Sequence, residues 1–153
     1  MEKVVKVETA KNAYDLLNSA KLTKMAMPEK FAVIEALREL KKVATDFEGA
    51  SKDAFEKLKA DGFEERLQTA QQYESAVKEG KEELPMSKED YTEFVKEFVE
   101  LNNNVRDAVK TLSEAEVTLT FEALSKDGFG NLLESNDTWD ANQIMLLMEV
   151  VCA

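Results

Sequence analysis

Two stretches, EKFAVIEALRELKKVATDFEGASKDAFEKLK (Glu29–Lys59) and KEDYTEFVKEFVELNNNVRDAVKTL (Lys88–Leu112), decide how this chain is read. In the first, Val33, Leu37, Leu40, Ala44, Phe47, Ser51, Ala54 and Leu58 recur at spacings of four and three. In the second, Tyr91, Phe94, Phe98, Leu101, Val105, Ala108 and Leu112 do the same. That spacing lays one apolar seam along each helix, the pattern of helices packed lengthwise. The expected fold is therefore mainly α with a small β element. A long antiparallel hairpin, with helices about 28–60 and 87–112, stands on a base formed by 3–20 and 116–152. All of 1–153 is read as one domain, as suits its length.

The base is read from shorter signals. Lys3–Glu8 alternates as a strand, and Val117–Ala123 does so more clearly, with Val117, Leu119, Phe121 and Ala123 on one face. The two should pair, because isolated strands leave backbone groups unsatisfied. Between the first strand and the hairpin, Thr9 is the expected cap of a helix from Ala10 to about Ala20. Leu22, Met25 and Met27 are expected to dip into the core, and Pro28 fits a first helical turn. Gly49 lies inside the first long run at a cost of ~1 kcal/mol against alanine, and Gly62 is the expected terminator.

Phe63–Glu79 has a thinner stripe of Phe63, Leu67, Ala70, Tyr73 and Val77, so it is placed at the hairpin tip with Tyr73 exposed. Gly80–Met86 reads as turn, and Ser87-Lys88-Glu89-Asp90 resembles a capping box. Asn102–Asn104 are expected to face solvent or an adjoining helix end. Ser125 should cap a helix from Lys126 to Glu134, with Asn136 as a left-handed stop. Asp137 or Thr138 should cap a last helix, Trp139–Val151. Ile144, Leu147, Met148 and Val151 form its apolar face, widened by Met145 and Leu146. So broad a stripe is either clamped against the base or meets a second subunit.

Charge narrows the functions. Net charge is -11, unsuited to gripping a nucleic-acid backbone. Residues 1–80 hold 14 basic and 15 acidic side chains, whereas 81–153 hold 6 and 16. Glu89, Glu93, Glu97 and Glu100 step by four, four and three, making one negative helix face, and Glu82 and Glu83 precede it. Such a face serves solubility, meets a basic partner, or imitates nucleic acid.

The chemistry available is sparse. With no histidine and one cysteine, Cys152, imidazole-based nucleophile activation and thiolate metal cages are excluded. Asp127-Gly-Phe-Gly130 lacks the Lys-Ser/Thr of a phosphate loop. Carboxylate pairs such as Glu82-Glu83 and Glu89-Asp90 fall on polar faces, so catalysis is not expected. Asp127, Asp137 and Asp140 could surround a hard cation, but helix capping explains Asp137 better. Trp139 and Phe129 are expected to anchor the last helices onto the sheet. No cofactor is called for. The longest apolar run, Ile144–Met148, is too short to span a bilayer. The N-terminus lacks the apolar core of a signal peptide, so the expectation is an intracellular protein.

A resemblance rests on Tyr14–Leu17, Lys24–Pro28, Phe47-Glu48, Glu116–Ser125, Leu132-Leu133 and Gln143-Ile144. In this order of elements the chain resembles uncharacterised short proteins encoded by tailed bacteriophages and prophages of gut bacteria. Phe63–Glu83 departs from that pattern, where a shorter linkage is expected. The resemblance implies a phage origin, a place in the host cytoplasm or the virion, and a binding or assembly role. The function expected is non-catalytic protein–protein contact by a homo-oligomer, with Tyr73, Glu89, Glu93, Glu97, Glu100, Met145 and Met148 as contact residues. The alternative is an acidic inhibitor that blocks a host nucleic-acid-binding or defence protein.

Overall fold

The computed structural model describes all 153 residues. The order of elements is β1 (Glu2–Lys6), α1 (Val7–Asn18), α2 (Met27–Leu58), α3 (Phe63–Lys78), α4 (Lys88–Glu114), β2 (Glu116–Thr120), α5 (Lys126–Ser135) and α6 (Ala141–Val151). The class is mainly α with a small β element. The chain divides into two compact units, Met1–Gly49 with Lys110–Ala153, and Ala50–Val109.

The first unit is built on the sheet. β1 and β2 pair antiparallel, with Val4 opposite Thr118 and Val5 opposite Val117. Val5 and Leu119 are buried on one face, while Val4, Thr118 and Thr120 are exposed on the other. Both strands are shorter than expected, for a reason of register. Phe121 N–H donates to Met1 C=O at 3.3 Å, so β1 has no residue left to pair with Glu122. The chain then turns, and Leu124 N–H donates to Val151 C=O at 2.8 Å. At the other end, Val7 N–H donates to Ala115 C=O at 2.9 Å and α1 begins there. That bond satisfies one of the orphan donors of the first helical turn. The expected cap at Thr9 is therefore not used; Lys6 stands at the cap without a side-chain bond.

Above the inner face lie Ala10, Ala13 and Leu17 of α1, Val33, Ala36 and Leu40 of α2, Phe129 and Leu132 of α5, and Leu147, Val150 and Val151 of α6. Trp139 packs half-buried against this core, as an anchor would. Met25 is buried and Leu22 partly so, but Met27, the first residue of α2, is exposed. Ser125 caps α5, its Oγ accepting from Gly128 N–H at 3.0 Å. Asp140, not Asp137 or Thr138, caps α6. It accepts from Gln143 N–H at 2.9 Å, and the Gln143 side chain accepts from Asp140 N–H at 2.9 Å. Asn136 is not left-handed (φ −136°). Its side chain instead accepts from Lys21 N–H at 2.8 Å and donates to Lys21 C=O at 2.7 Å. Ser135 Oγ accepts from Lys24 N–H at 2.9 Å, and Asn131 Nδ2 donates to both Glu29 oxygens at 3.2 and 3.1 Å. These bonds strap the connector before α2 to α5.

The second unit is aromatic. Phe63, Ala70, Phe94 and Leu101 are buried together, with Phe55, Leu67, Met86, Tyr91, Phe98 and Val105 packed on them. Phe63 stacks on Phe98 (centroids 5.8 Å apart, planes 11° apart), meets Phe94 at 5.6 Å, and takes the edge of Phe55 at 5.5 Å. Tyr73 stacks on Tyr91 at 4.4 Å, so α3 and α4 run antiparallel here. Helical-hairpin architecture is present, with its seam partners redistributed. The aromatic half of α4 packs on α3 and on Phe55, whereas Leu58 and Leu112 are exposed. α2 ends at Leu58, and Gly62, at φ +77°, turns the chain into α3. Ser87 caps α4 as expected, its Oγ accepting from Asp90 N–H at 3.0 Å.

Candidate interaction surfaces

The residues singled out from sequence fall in both units. In the aromatic unit, Tyr73 is the one the structure corrects. It is buried to 7% exposure against Tyr91, because α3 is a packed partner of α4 rather than an exposed tip. A ring spent on that stack is not free to meet a partner.

Glu89, Glu93, Glu97 and Glu100 are all exposed on α4. The stripe is broken at Glu97, which accepts from Arg66 Nη1 at 2.5 Å while that guanidinium lies 5.2 Å above the Phe94 ring. One acidic charge of the face is therefore matched from within. Next to the stripe, the Tyr91 hydroxyl donates to Glu74. That carboxylate, foremost, and then burial hold the phenol above its ordinary value of 10.0. At the turn into α3, Lys59 pairs with Glu56 at 2.6 Å and with Glu64. Glu56 and then Glu64 raise the Lys59 pKa, and Lys59 lowers that of Glu64. These groups are solvent-facing, so they order the turn more than they stabilise it.

In the sheet unit, α6 presents two faces. Leu147, Val150 and Val151 are buried, but Met145 is 66% and Met148 49% exposed. The expectation that Met148 shares the buried face is corrected, since α6 turns Val150 inward instead. Both methionines line an open groove with Val4 and Leu146, bordered by Lys3, Asn142 and Glu149. Lys3 donates from Nζ to Cys152 C=O at 2.8 Å, fixing the C-terminal end of α6 against β1. Burial pushes the Cys152 thiol pKa up, against the opposing effect of Lys3.

Sequence reasoning missed one surface. Met27, Phe31 and Ile34 stand exposed along α2, spaced four and three residues apart. The signal was present as a second helical stripe, offset from the stripe through Val33 and Leu40. No group of three or more His, Cys, Asp or Glu is placed to hold a metal ion, so Asp127, Asp137 and Asp140 do not gather. No helix is long and apolar enough to cross a membrane. No protein-family model, curated protein or solved structure matches this chain.

Proposed function

We propose that this is a non-catalytic, phage-type protein that acts through protein–protein contacts, in virion assembly or as an accessory component, and that it self-associates. Its place is the bacterial host cytoplasm or the virion. The observation that carries the reading is the exposure of Met145 and Met148 on a helix whose other face already completes the core. Flexible thioethers on an open groove suit a surface that adapts to a partner. Light scattering coupled to size-exclusion chromatography tests it. The expected result is a mass that rises above 17.2 kDa with concentration. A strict monomer at every concentration contradicts the reading.

The acidic-inhibitor reading is favoured by the exposed Glu89, Glu93 and Glu100. It is weakened by the Arg66–Glu97 pair, which neutralises the middle of the face. Salt-sensitive capture of a basic host protein, lost on charge reversal at Glu93 and Glu100, would select it.

A further inference from the structure

The sheet has only two strands, so each has an unpaired edge. Which backbone groups face the open edge of β1 follows from the ladder. Phe121 N–H bonds to Met1 C=O and Val7 N–H bonds to Ala115 C=O. The odd-numbered residues of β1 therefore direct their N–H and C=O toward β2. Successive residues of a strand direct them to opposite sides, so Glu2, Val4 and Lys6 direct theirs away from it. An open edge is a template for another strand.

The side chains of this edge are self-complementary. If a second β1 is laid antiparallel with Val4 opposite Val4, Glu2 of each copy faces Lys6 of the other, twice over. Only outward-directed backbone groups meet in this register, which gives roughly six new hydrogen bonds. The apolar pair at the centre is already exposed, Val4 at 57%. The groove beside this strand is floored by Met145 and Met148 of α6. Joining the sheets along this edge brings the exposed methionines of both copies together at the seam.

We propose that β1 pairs along its open edge with β1 of a second copy, two-fold about Val4, making one continuous sheet in the order β2-β1-β1-β2 with Met145 and Met148 beneath the junction. The proposal rests on the self-association inferred above and names its surface, its register and its symmetry.

Val4→Pro tests it. The Val4 N–H faces the open edge, so its loss removes no bond of the β1–β2 ladder, and edge strands accept proline. Far-UV circular dichroism and the melting temperature of the variant report that it folds. Light scattering should then find Val4→Pro monomeric where the wild type is dimeric. A second test does not use proline. Glu2→Lys and Lys6→Glu each turn both cross-copy ion pairs into like-charge pairs, and each should weaken dimerisation by about tenfold or more. Lys6 also faces Glu116 of β2, so folding is monitored for this variant as well. An equimolar mixture of the two single variants should recover a dimer as the heterodimer. A wild-type dimer that survives both Val4→Pro and the single charge reversals overturns the strand pairing and leaves self-association standing. A wild type that never leaves the monomer overturns both.

Discussion

The sheet unit and the aromatic unit solve the same problem differently. The large side chains buried essentially completely are Leu17, Leu40, Leu119, Leu132, Leu147 and Val150, and every one belongs to the sheet unit. The aromatic unit has none. Its core is a set of rings, Phe55, Phe63, Phe94 and Phe98, each meeting the next at 5.5–6.2 Å. Aliphatic side chains enclosed on all sides gain from full removal of their surface from water. Stacked rings gain from a few large contacts, and here Phe63 and Phe94 are buried while Phe55 and Phe98 are only partly so. The sheet unit should therefore set the stability of the chain, and the aromatic unit should open first.

Two core truncations test that contrast. Phe63→Ala removes the ring that touches three others and should cost about 3–5 kcal/mol. Its effect should appear in hydrogen exchange as lost protection across α3 and the first half of α4, with the amides of β1, β2 and α6 still slow. Leu147→Ala, in the closed core, should cost about 2–5 kcal/mol and lower protection in the sheet unit. Equal loss throughout the chain from Phe63→Ala would make the two cores one cooperative block.

Smaller changes test the local chemistry. Asp140→Ala removes half of the capping box and should lower stability by about 1 kcal/mol in chemical denaturation. Gly49 has open space where a Cβ would stand and lies inside the unbroken α2. Gly49→Ala should therefore raise stability by up to ~1 kcal/mol. Smallest is the phenol of Tyr91. Its folded pKa lies above the ordinary 10.0, so its contribution to stability is complete below that value. That contribution is lost as pH rises through the folded pKa. Glu74→Gln should bring the Tyr91 transition to lower pH in a spectrophotometric titration, and no movement would show that the hydrogen bond is not populated.

The sequence was legible where the signal is local. Ser87 and Ser125 act as the caps their positions imply, and the alternation of Val5 and Leu119 against Val4 and Thr118 reports the sheet face. The Asp140–Gln143 spacing was also readable, but the neighbouring Asp137 and Thr138 offered competing caps. What was not legible is pairing over distance. Periodicity says that α2, α3 and α4 each have an apolar stripe without saying whose stripe covers whose, so Tyr73 read as exposed. Arg66 meets Glu97 from 31 residues away, and Asn136 reaches Lys21 across 115. Nothing near either residue announces such a bond. The exposure of Met145 and Met148 was half legible, since the stripe of α6 is wider than one core face needs.

The most direct measurement is hydrogen exchange at single amides of β1, followed by nuclear magnetic resonance over a range of protein concentrations. The odd-numbered amides, bonded to β2, should be protected at every concentration. The amides of Val4 and Lys6 should be fast in dilute solution and become slow as concentration rises, as a strand added at the open edge requires. Fast exchange at Val4 and Lys6 in a sample shown to be dimeric would contradict the account.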